Sequence, residues 1–276
     1  MAEWRLSAIQ LNSTPDPQQN LEQVAYYLSQ LPVAEHHLVV VPEAFAVFGG
    51  RDGLNLQYQA ALGQGLIQQR CAELAQQYRV YFVAGSLPLS GADPERFSAC
   101  SILFSPAGEI LADYQKLHLF DVDVADTTGS YRESATTMPG SKVVLAQVDS
   151  LKLGMSICYD MRFPGLMQAL AAQGMNVLAV PSAFTRPTGE AHWHTLLRAR
   201  AIENQCFVIA PAQTGVHANG RETYGHSVII DPWGKVLADA GTAPGWISVM
   251  VELNDCAALQ RKMPVALHNR FYSELK

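Results

Sequence analysis

The chain has 276 residues, of which 49% are hydrophobic and 16% charged, and its formal net charge is −6. This length allows one large domain or two smaller ones, each with a sizeable core. The acidic balance and the lack of a basic run argue against a nucleic-acid partner. No apolar stretch reaches the ~18 residues of a membrane span, and the N-terminus does not resemble a signal peptide. We therefore expect a cytoplasmic protein without a membrane partner.

The cysteine pattern excludes two further classes of protein. The five cysteines stand at positions 71, 100, 158, 206 and 256, an odd number that is widely spread and lacks any CxxC pair. A disulfide framework or a structural zinc site is therefore not expected.

Apolar periodicity in the first half predicts strands and helices in alternation. Strands are expected at 5–11, 37–41 and 80–85, and a hairpin at 100–104 and 110–114; helices are expected at 21–31 and 64–78. The run at 37–41 is continuously apolar, which is typical of a central buried strand. The polar segment 116–140 is predicted to have little regular structure, and so long a loop in a compact domain is usually functional.

The second half has a similar succession of elements. Strands are predicted at 143–148, 151–157, 176–180, 207–210, 227–230 and 247–251; helices are predicted at 163–173, at 190–203 and from 254 to a stop at Pro264. Gly174 is expected to cap the helix 163–173, and Asn254 to cap the last helix at its N-terminus. A tail without predicted structure follows Pro264.

Two sequence echoes indicate that the halves are related. The segment 39–45, VVVPEAF, resembles 178–184, LAVPSAF, and the hairpin at 100–112 resembles the segment 226–238. Both echoes occur in the same order about half a chain apart. Two mixed sheets packed face to face, with helices outside, would accommodate two such halves. Coincidence between common strand-turn patterns is the alternative.

The stretch 151–164, LKLGMSICYDMRFP, contains the first candidate for chemistry. Alternating apolar residues predict a half-buried strand that runs into Cys158, after which the chain turns into a polar segment. A rigid strand can present a thiol at such a turn, and the first N–H groups after the turn can face an anion. The alternative is a buried cysteine that acts as a small hydrophobic residue.

Two other strand ends supply possible partners for a thiol nucleophile. Glu43 follows a buried strand directly, where burial is expected to raise the pKa of its carboxyl and make it a usable base. It could instead bind loop amides as a structural group. Lys116 follows the strand 110–114 and could stabilise an oxyanion, or extend to solvent. Glu133 on the same loop could hold Lys116 or be a surface charge.

The histidines suggest less specific chemistry. His118 could form a dyad with the cysteine. His192 and His194 form an HxH pair, but no third ligand follows at a telling spacing, and we predict no metal. No GxSxG, Walker or GxGxxG motif is present.

Three motifs together resemble the nitrilase superfamily of carbon–nitrogen hydrolases. They are VPEA at 41–44, YQKLHLFDVD at 114–123 and SICYDMRFP at 156–164, in the order found in that family. Motifs of the second half resemble the Nit branch; they are PSAFT at 181–185, GEAHWHTLLRARAIE at 189–203, PAQ at 211–213, YGHS at 224–227 and DPWG at 231–234. Within that branch, AQ followed by YGHS is more similar to the deaminated-glutathione amidases than to the omega-amidases.

The resemblance implies both a fold and a set of catalytic roles. The fold is an α/β, four-layer α-β-β-α sandwich with two mixed sheets and pseudo-twofold symmetry. Cys158 would be the nucleophile, Glu43 the general base, Lys116 the oxyanion-side residue and Glu133 a supporting glutamate. The backbone N–H of Tyr159 would complete the oxyanion site. A single carbon–nitrogen hydrolase domain would span 1–264, with a tail at 265–276 that crosses to a partner in a homodimer or higher homo-oligomer.

The resemblance also implies a reaction that needs no cofactor. A small-molecule amide would be hydrolysed through a cysteine thioester, with deaminated glutathione as the substrate. Thr185, Arg186 and His192 are candidate contacts for its carboxylate groups, whereas Asp160 and Arg162 are expected to be structural, Arg162 as an ion-pair partner of a carboxylate. Three alternatives remain open: an omega-amidase acting on 2-oxoglutaramate or another small-amide hydrolase, a true nitrilase, and a catalytically silent scaffold.

Two positions depart from the pattern of the family. Gly165 and His194 stand where its members usually have glutamate. We expect Gly165 to weaken a helix start or a dimer contact. We expect His194 to lie near the rim of the substrate pocket.

Overall fold

The computed structural model describes residues 3–126, 128–271 and 273–275. The strands are β1 (Glu3–Gln10), β2 (His37–Val40), β3 (Tyr81–Ser90), β4 (Phe97–Phe104), β5 (Ile110–Gln115), β6 (Asp121–Asp123), β7 (Ser130–Arg132), β8 (Leu145–Val148), β9 (Leu151–Met155), β10 (Val177–Ala179), β11 (Phe207–Ala210), β12 (Thr214–Val216), β13 (Glu222–Tyr224), β14 (Val228–Ile230), β15 (Val236–Asp239) and β16 (Gly245–Glu252). The helices are α1 (Pro17–Gln30), α2 (Leu66–Tyr78), α3 (Pro164–Ala172), α4 (Arg186–Asn204), α5 (Asn254–Lys262) and α6 (Val265–His268).

The local sequence accounts for the bounds of the first helix. The side chain of Asp16 accepts a hydrogen bond from the N–H of Gln18 at 2.9 Å, and Pro17 occupies the first helical position. Pro is favoured there because its missing N–H would have no helical partner. The helix ends at Gln30, and Leu31 is extended because it precedes Pro32.

Twelve strands form two mixed six-stranded sheets. The first has the order β16-β1-β2-β3-β4-β5 and the second β15-β14-β11-β10-β9-β8. In the first sheet β1, β2 and β3 are parallel and the outer strands antiparallel. The second sheet repeats this pattern with β9, β10 and β11. The two-halves prediction and the mixed-sheet prediction are therefore both confirmed.

The central strands are buried on both faces, which explains their continuous apolar runs. In β2 and the residue after it, Leu38 and Val40 belong to one core, whereas Val39 and Val41 belong to the other. Helices α1 and α2 cover the second of these cores on the outside of the first sheet. The larger core joins the first sheet to the second sheet and to α3 and α4. The layers thus run helix, sheet, sheet, helix.

Several boundaries differ from the prediction. The strand β9 ends at Met155 rather than at Ile157, and a 3-10 turn begins at Cys158. The loop 116–140 contains the two-stranded ribbon β6–β7, since Asp121 and Arg132 start an antiparallel ladder. Helix α4 begins at Arg186, four residues earlier than predicted. Asn254 lies inside α5, for which Leu253 occupies the N-cap position.

The C-terminal tail is also more regular than predicted. Helix α6 follows Pro264, and Ser273 then donates a hydrogen bond to Gln168 on α3 of the same chain, at 2.9 Å. Gly165 lies beside this contact, and α3 begins at Pro164 in spite of it. A Cβ at position 165 would meet the Ser273 hydroxyl at 3.5 Å, an ordinary contact. The helix thus forms with glycine at this position, and the predicted weakening of the helix start or of a dimer contact stays a prediction, as does the predicted crossing of the tail to a partner.

Candidate active site

Cys158 lies at a strained turn between β9 and the 3-10 turn Cys158–Arg162. Its φ of 48° is left-handed, a conformation that a non-glycine residue adopts at a cost of about 1–3 kcal/mol. Its N–H donates to the carbonyl of Pro181 at 2.9 Å, which ties the turn to the end of β10. The residue is 8% exposed. The prediction that this thiol lies at a turn after a strand is confirmed, with two residues between the end of the strand and the turn.

Lys116 follows β5 directly and is 2% exposed, so its ammonium does not extend to solvent. Its Nζ donates to Glu43 Oε1 at 2.7 Å and to both carboxylate oxygens of Glu133 at 2.9 Å. Glu133 in turn accepts the N–H of Phe120 at 2.6 Å, so it is a partly buried partner of the lysine rather than a solvated surface charge. One cation therefore bridges two carboxylates, an arrangement that compensates their burial.

Lys116, Glu43 and Glu133 form an ion cluster, and Glu43 connects this cluster to the thiol. It follows β2, and its second oxygen, Oε2, accepts the N–H of Ala183 at 2.9 Å. The charge of this carboxylate also acts on the thiol of Cys158, which lies close to it. Glu43, Lys116 and Cys158 thus converge, as the sequence motifs predicted. The structural alternative for Glu43, binding a loop amide, is also realised, because the two oxygens serve different partners.

The electrostatics give the three groups different protonation states. Burial raises the pKa of the Cys158 thiol, and the charge of Glu43 raises it further against the opposing effect of Lys116. Burial also acts to raise the pKa of Glu43, but the attraction of Lys116 outweighs it and holds that pKa below its usual value. The predicted rise for Glu43 is therefore wrong. The resting pair is a neutral thiol beside an ionised carboxylate, which can accept the proton.

Glu133 and Lys116 complete this electrostatic arrangement. Burial raises the pKa of Glu133, and the charge of Glu43 adds to the rise although Lys116 opposes it. Burial acts to lower the pKa of Lys116, but the charges of Glu133 and Glu43 raise it well above its usual value. The lysine is therefore cationic. The two carboxyls share this cation and titrate as a pair, with Glu43 the more readily ionised member.

The turn after Cys158 provides an amide for an anion. In the first turn of a helix the N–H groups lack helical partners. Here the carbonyl of Ile157 already accepts the N–H of Asp160 at 3.1 Å, and the N–H of Cys158 is used by Pro181. The N–H of Tyr159 is the remaining donor of this turn, next to the nucleophile candidate. This position agrees with the predicted oxyanion role, which stays a prediction.

Asp160 is a structural hub. Its carboxylate is fully buried and accepts the N–H of Ile157 at 2.9 Å, the hydroxyl of Tyr114 at 2.7 Å and the N–H of His118 at 3.0 Å. The ring of His118 bonds the same carboxylate at 2.7 Å and stacks on Phe163 at 3.7 Å. His118 is therefore a partner of Asp160, and the dyad with the cysteine is not formed.

The contacts of Arg162 differ from the ion pair that was predicted for it. No carboxylate lies within 4.0 Å of it in the described parts of the chain, so the expected ion pair is wrong. Its guanidinium instead lies 5.8 Å from the ring centre of Tyr159 and 5.1 Å from that of Phe184. It also contacts the ring of His192 at 3.3 Å. These rings hold the arginine by cation–π attraction.

The three predicted substrate contacts are not joined to the cluster by hydrogen bonds. Thr185 is buried and hydrogen-bonded to Thr188 at 2.8 Å. Arg186 is exposed and paired with Glu190 and Glu222 at 3.1 and 3.3 Å. It lines a cleft of about 440 Å³ that none of Glu43, Lys116 and Cys158 borders. The role of these residues, like that of His192 beside Arg162, stays a prediction.

Arg221 lies near Glu43, although the sequence did not predict a role for it. It lies on the loop between β12 and β13, and its Nη2 donates to the carbonyl of Ala183 at 2.9 Å. Its charge also acts on Glu43. The only signal in the sequence is one arginine in the polar segment HANGRETYGHS, which does not distinguish a site residue from a solvated one.

The HxH pair does not converge on a metal position. His194 instead bonds Asp239 at 2.9 Å, and His226 bonds the same carboxylate at 3.0 Å. The ligand atoms of these three residues lie within 4.8 Å of one another, the one such group in the described ranges 3–126, 128–271 and 273–275. One ring nitrogen of each histidine thus bonds the aspartate. His194 thus lies beside Tyr224 and His226 and makes no hydrogen bond to the ion cluster.

Comparison with known proteins assigns the chain to a family. The model of the family described as "Carbon-nitrogen hydrolase" matches residues 5–261. The chain belongs to this family. Among the described residues, no helix of this carbon–nitrogen hydrolase is long and apolar enough to cross a membrane.

Several curated relatives of this carbon–nitrogen hydrolase have the same name. A Yersinia enterocolitica protein named deaminated glutathione amidase is 41% identical, over 100% of this chain and 96% of its own. The Homo sapiens protein of that name is 38% identical, over 96% of this chain and 82% of its own. The resemblance to the nitrilase superfamily and its Nit branch is thus confirmed.

Solved structures confirm the fold. The crystal structure of the C. elegans NitFhit protein has a TM-score of 0.88 and 31% identity, over 98% of this chain and 66% of that one. Saccharomyces cerevisiae Nit3, a member of branch 10 of the nitrilase superfamily, has a TM-score of 0.86 and 29% identity, over 98% of this chain and 97% of its own.

Proposed function

We propose that this carbon–nitrogen hydrolase is an amidase that cleaves deaminated glutathione into 2-oxoglutarate and cysteinylglycine. The observation that carries the catalytic part is the position of one carboxylate, Glu43, which bonds the Lys116 ammonium at 2.7 Å and lies close enough to the Cys158 thiol for its charge to act on it. The substrate is supported by the shared name of the relatives. The reaction needs no cofactor in this scheme.

In the first half-reaction the carboxylate of Glu43 takes the proton of the thiol as the sulfur of Cys158 attacks the amide carbon. The carbonyl oxygen becomes an oxyanion, which the ammonium of Lys116 and the N–H of Tyr159 stabilise. The protonated Glu43 then gives its proton to the amide nitrogen, and the C–N bond breaks. Cysteinylglycine leaves as an amine, and a thioester remains on Cys158.

In the second half-reaction Glu43 acts again as a base. It removes a proton from a water that attacks the thioester carbon, and the same two groups hold the oxyanion. The C–S bond breaks, the sulfur recovers the proton from Glu43, and 2-oxoglutarate leaves. Lys116 remains charged throughout, and Glu133 keeps it in position through two hydrogen bonds.

The test is a kinetic comparison of deaminated glutathione with 2-oxoglutaramate, together with intact-protein mass spectra. The proposal expects higher kcat/KM for deaminated glutathione and a 2-oxoglutaryl adduct on wild-type protein that Cys158→Ala lacks. A preference for 2-oxoglutaramate would replace the substrate by that of an omega-amidase and leave the mechanism intact. Full turnover by Cys158→Ala would overturn the mechanism, and no turnover of any small amide would favour the silent scaffold.

We also propose a homodimer in which the tail takes part. Leu267 and Phe271 are 80% and 83% exposed, and Leu275 is 50% exposed. Three large apolar side chains on one short segment are typical of a surface that a partner covers. Light scattering after gel filtration checks the dimer, and a chain ending at Pro264 should then elute as a monomer. An unchanged mass for that shorter chain would remove the tail from the interface.

The compartment we propose is the cytoplasm. All five cysteines are free thiols, which fits a reducing environment. Fractionation of cells that express the protein would test this, and recovery outside the cytoplasmic fraction would contradict it.

A further inference from the structure

The guanidinium of Arg221 lies close to the general-base end of the site. Its Nη2 donates to the carbonyl of Ala183, whose own N–H donates to Glu43 Oε2; both contacts are 2.9 Å. A single residue therefore separates the arginine from the carboxylate, and the span from Glu43 to the guanidinium is at most about 9 Å. Lys116 and Tyr159, the oxyanion groups, are not among its partners.

This arginine has few partners of its own. The bond to Ala183 is the one side-chain hydrogen bond that it makes to the described residues, and its Nε–H is buried without an acceptor there. No carboxylate of the described chain lies within 4.0 Å of it. Asp126 lies near enough to interact with its charge, but accepts its hydrogen bonds from Tyr131, Thr128 and Gly129. A buried donor without an acceptor is uncommon in proteins and points to a ligand.

The guanidinium is nevertheless held firmly. Its Cζ lies 5.0 Å from the ring centre of Phe48 and 5.0 Å from that of Tyr131. Phe48 in turn packs edge-on against His217, whose ring bonds Thr223 at 2.7 Å at the base of the same hairpin. Such support fixes a charged group before a ligand arrives, which favours specific binding.

A row of neighbouring aromatic rings extends from this arginine to the candidate nucleophile. The rings of Tyr131 and Phe120 are 5.2 Å apart, and those of Phe120 and Tyr159 are 5.1 Å apart. Tyr159 adjoins Cys158 in the chain. Arg221 and the thiol are thus connected along one continuous set of side chains.

We propose that Arg221 binds the carboxylate of the leaving group, and thereby selects amides whose leaving amine is a short acidic peptide. This inference rests on the proposed amidase function. Glu43 must protonate the leaving nitrogen, so the leaving group lies on the side of the site where Arg221 stands. In cysteinylglycine the C-terminal carboxylate is two residues from the scissile nitrogen, about 7 Å in an extended chain. That distance fits the reach of Arg221 from Glu43, and a guanidinium can hold a carboxylate by two parallel hydrogen bonds.

Three substrates separate this role from a structural one. They are deaminated glutathione, its C-terminal carboxamide, which lacks the leaving-group charge, and 2-oxoglutaramate, whose leaving group is ammonia. Arg221→Met should lower kcat/KM for deaminated glutathione about 10- to 100-fold, mainly through KM. It should change kcat/KM for the other two substrates less than about twofold. Arg221→Lys should restore part of the loss, because the charge remains.

The matched control is Arg198→Met on α4. Arg198 also donates to one backbone carbonyl, that of Gly234 at 2.8 Å, and makes no contact with the ion cluster. Its variant should behave as wild type with all three substrates, and thermal unfolding should show that every variant is folded.

The outcomes distinguish this inference from the proposed function. Equal losses of Arg221→Met on all three substrates, or no loss on deaminated glutathione, would overturn the role of Arg221 and leave the amidase proposal standing. A wild-type protein that fails to cleave deaminated glutathione would overturn both. Wild-type discrimination between the acid and its carboxamide that disappears in Arg221→Met would support both.

Discussion

The two halves of the molecule share a scaffold but not a set of chemical groups. Each half has three parallel strands followed by an antiparallel hairpin, with helices in the two crossovers. The strand pairing shows which residues of the two halves are equivalent. Leu6 pairs with Leu38 in the first sheet, and Leu153 pairs with Val177 in the second. We therefore align Leu6 with Leu153 and Leu38 with Val177. Helices α2 and α4 both end on a left-handed residue, Arg79 and Gln205.

Side chains at equivalent strand ends show where the halves differ. Leu11 lies five residues after Leu6, and Cys158 lies five residues after Leu153, so these two residues are equivalent. In the same way, Glu43 lies five residues after Leu38 and is equivalent to Ser182, five residues after Val177. In the hairpins, Ile102 pairs with Asp113 and Val228 pairs with Asp239, so the two aspartates are equivalent. Lys116 and Thr242 each lie three residues after these aspartates and are therefore equivalent too.

The first half thus contributes the carboxylate and the ammonium of the proposed catalytic site, and the second half contributes the thiol. Their three counterparts carry no charge. The position at a strand end is therefore common to both halves, and the residue type alone decides whether it can do chemistry.

The largest expected effect comes from the pair Cys158 and Leu11. Cys158→Ala should lower kcat/KM about 10⁴-fold or more, because no other group can form the thioester. Leu11→Ala should instead lower the free energy of unfolding by about 2–5 kcal/mol, since Leu11 is fully buried. Kinetics and urea unfolding measure the two effects. Comparable turnover by the two variants, at matched folded protein, would contradict the comparison.

Glu43→Gln should lower kcat about 10³-fold, because the amide keeps the shape of the side chain but cannot take the thiol proton. The pH profile is a second readout. Lys116 holds the pKa of Glu43 below its usual value of 4.5, so the carboxylate stays ionised as the pH falls toward that value. Wild-type kcat/KM should therefore decline only below about pH 4.5. Glu43→Gln should lack this acidic decline, and a variant that retains it would assign the decline to another group.

Lys116→Met leaves two buried carboxylates without their cation. The free energy of unfolding should fall by about 3–5 kcal/mol near pH 8, and kcat/KM about 10²- to 10³-fold. Without the ammonium, the folded-state pKa values of Glu43 and Glu133 rise above their unfolded values. Stability of the variant is then lost as the pH rises, so its deficit against wild type should be smaller at pH 5 than at pH 8.

Urea unfolding at the two pH values measures this deficit. The counterpart variant Thr242→Val should change stability by less than about 0.5 kcal/mol, because this side chain is exposed. If the loss of unfolding free energy in Lys116→Met does not depend on pH, the two carboxylates are not the cause of that loss.

Ser182→Ala should have the smallest effect. Its hydroxyl donates to the carbonyl of Val180 at 3.0 Å, and its loss should lower the free energy of unfolding by about 1 kcal/mol. Activity should stay within about twofold, because the group that holds Glu43 is the backbone N–H of Ala183. Calorimetry and kinetics together check this, and a tenfold loss of kcat would give Ser182 a part in the site.

Much of the fold was predictable because local signals and tertiary structure agree. The apolar run at β2, the hairpin around residues 105–108 and the two echoes each predicted an element that is present. The candidate nucleophile, base and cation were predictable as strand-end residues and through the family motifs. The direction of the Glu43 pKa was not, because it depends on how close Lys116 lies across the fold.

Contacts between distant segments limited the remaining predictions. Arg221 meets the site only when β12 and β13 pair and bring its loop beside Ala183. The partners of Arg162 are two rings and a histidine, and the sequence offers no spacing that predicts them. The ribbon β6–β7 forms from strands of three residues, which is too short for a periodicity to appear.

The pairing of β1 with β16 has a consequence for biosynthesis. Glu3 pairs with Glu252, so β1 borders on a strand that is synthesised long after it. At about 5–20 residues per second, β1 waits on the order of ten seconds or more for this neighbour. The corresponding strand of the second sheet, β9, has β8 beside it from the start. An unpaired strand edge can join another chain, so the edge of β1 that β16 covers is open to such pairing while the chain is being made.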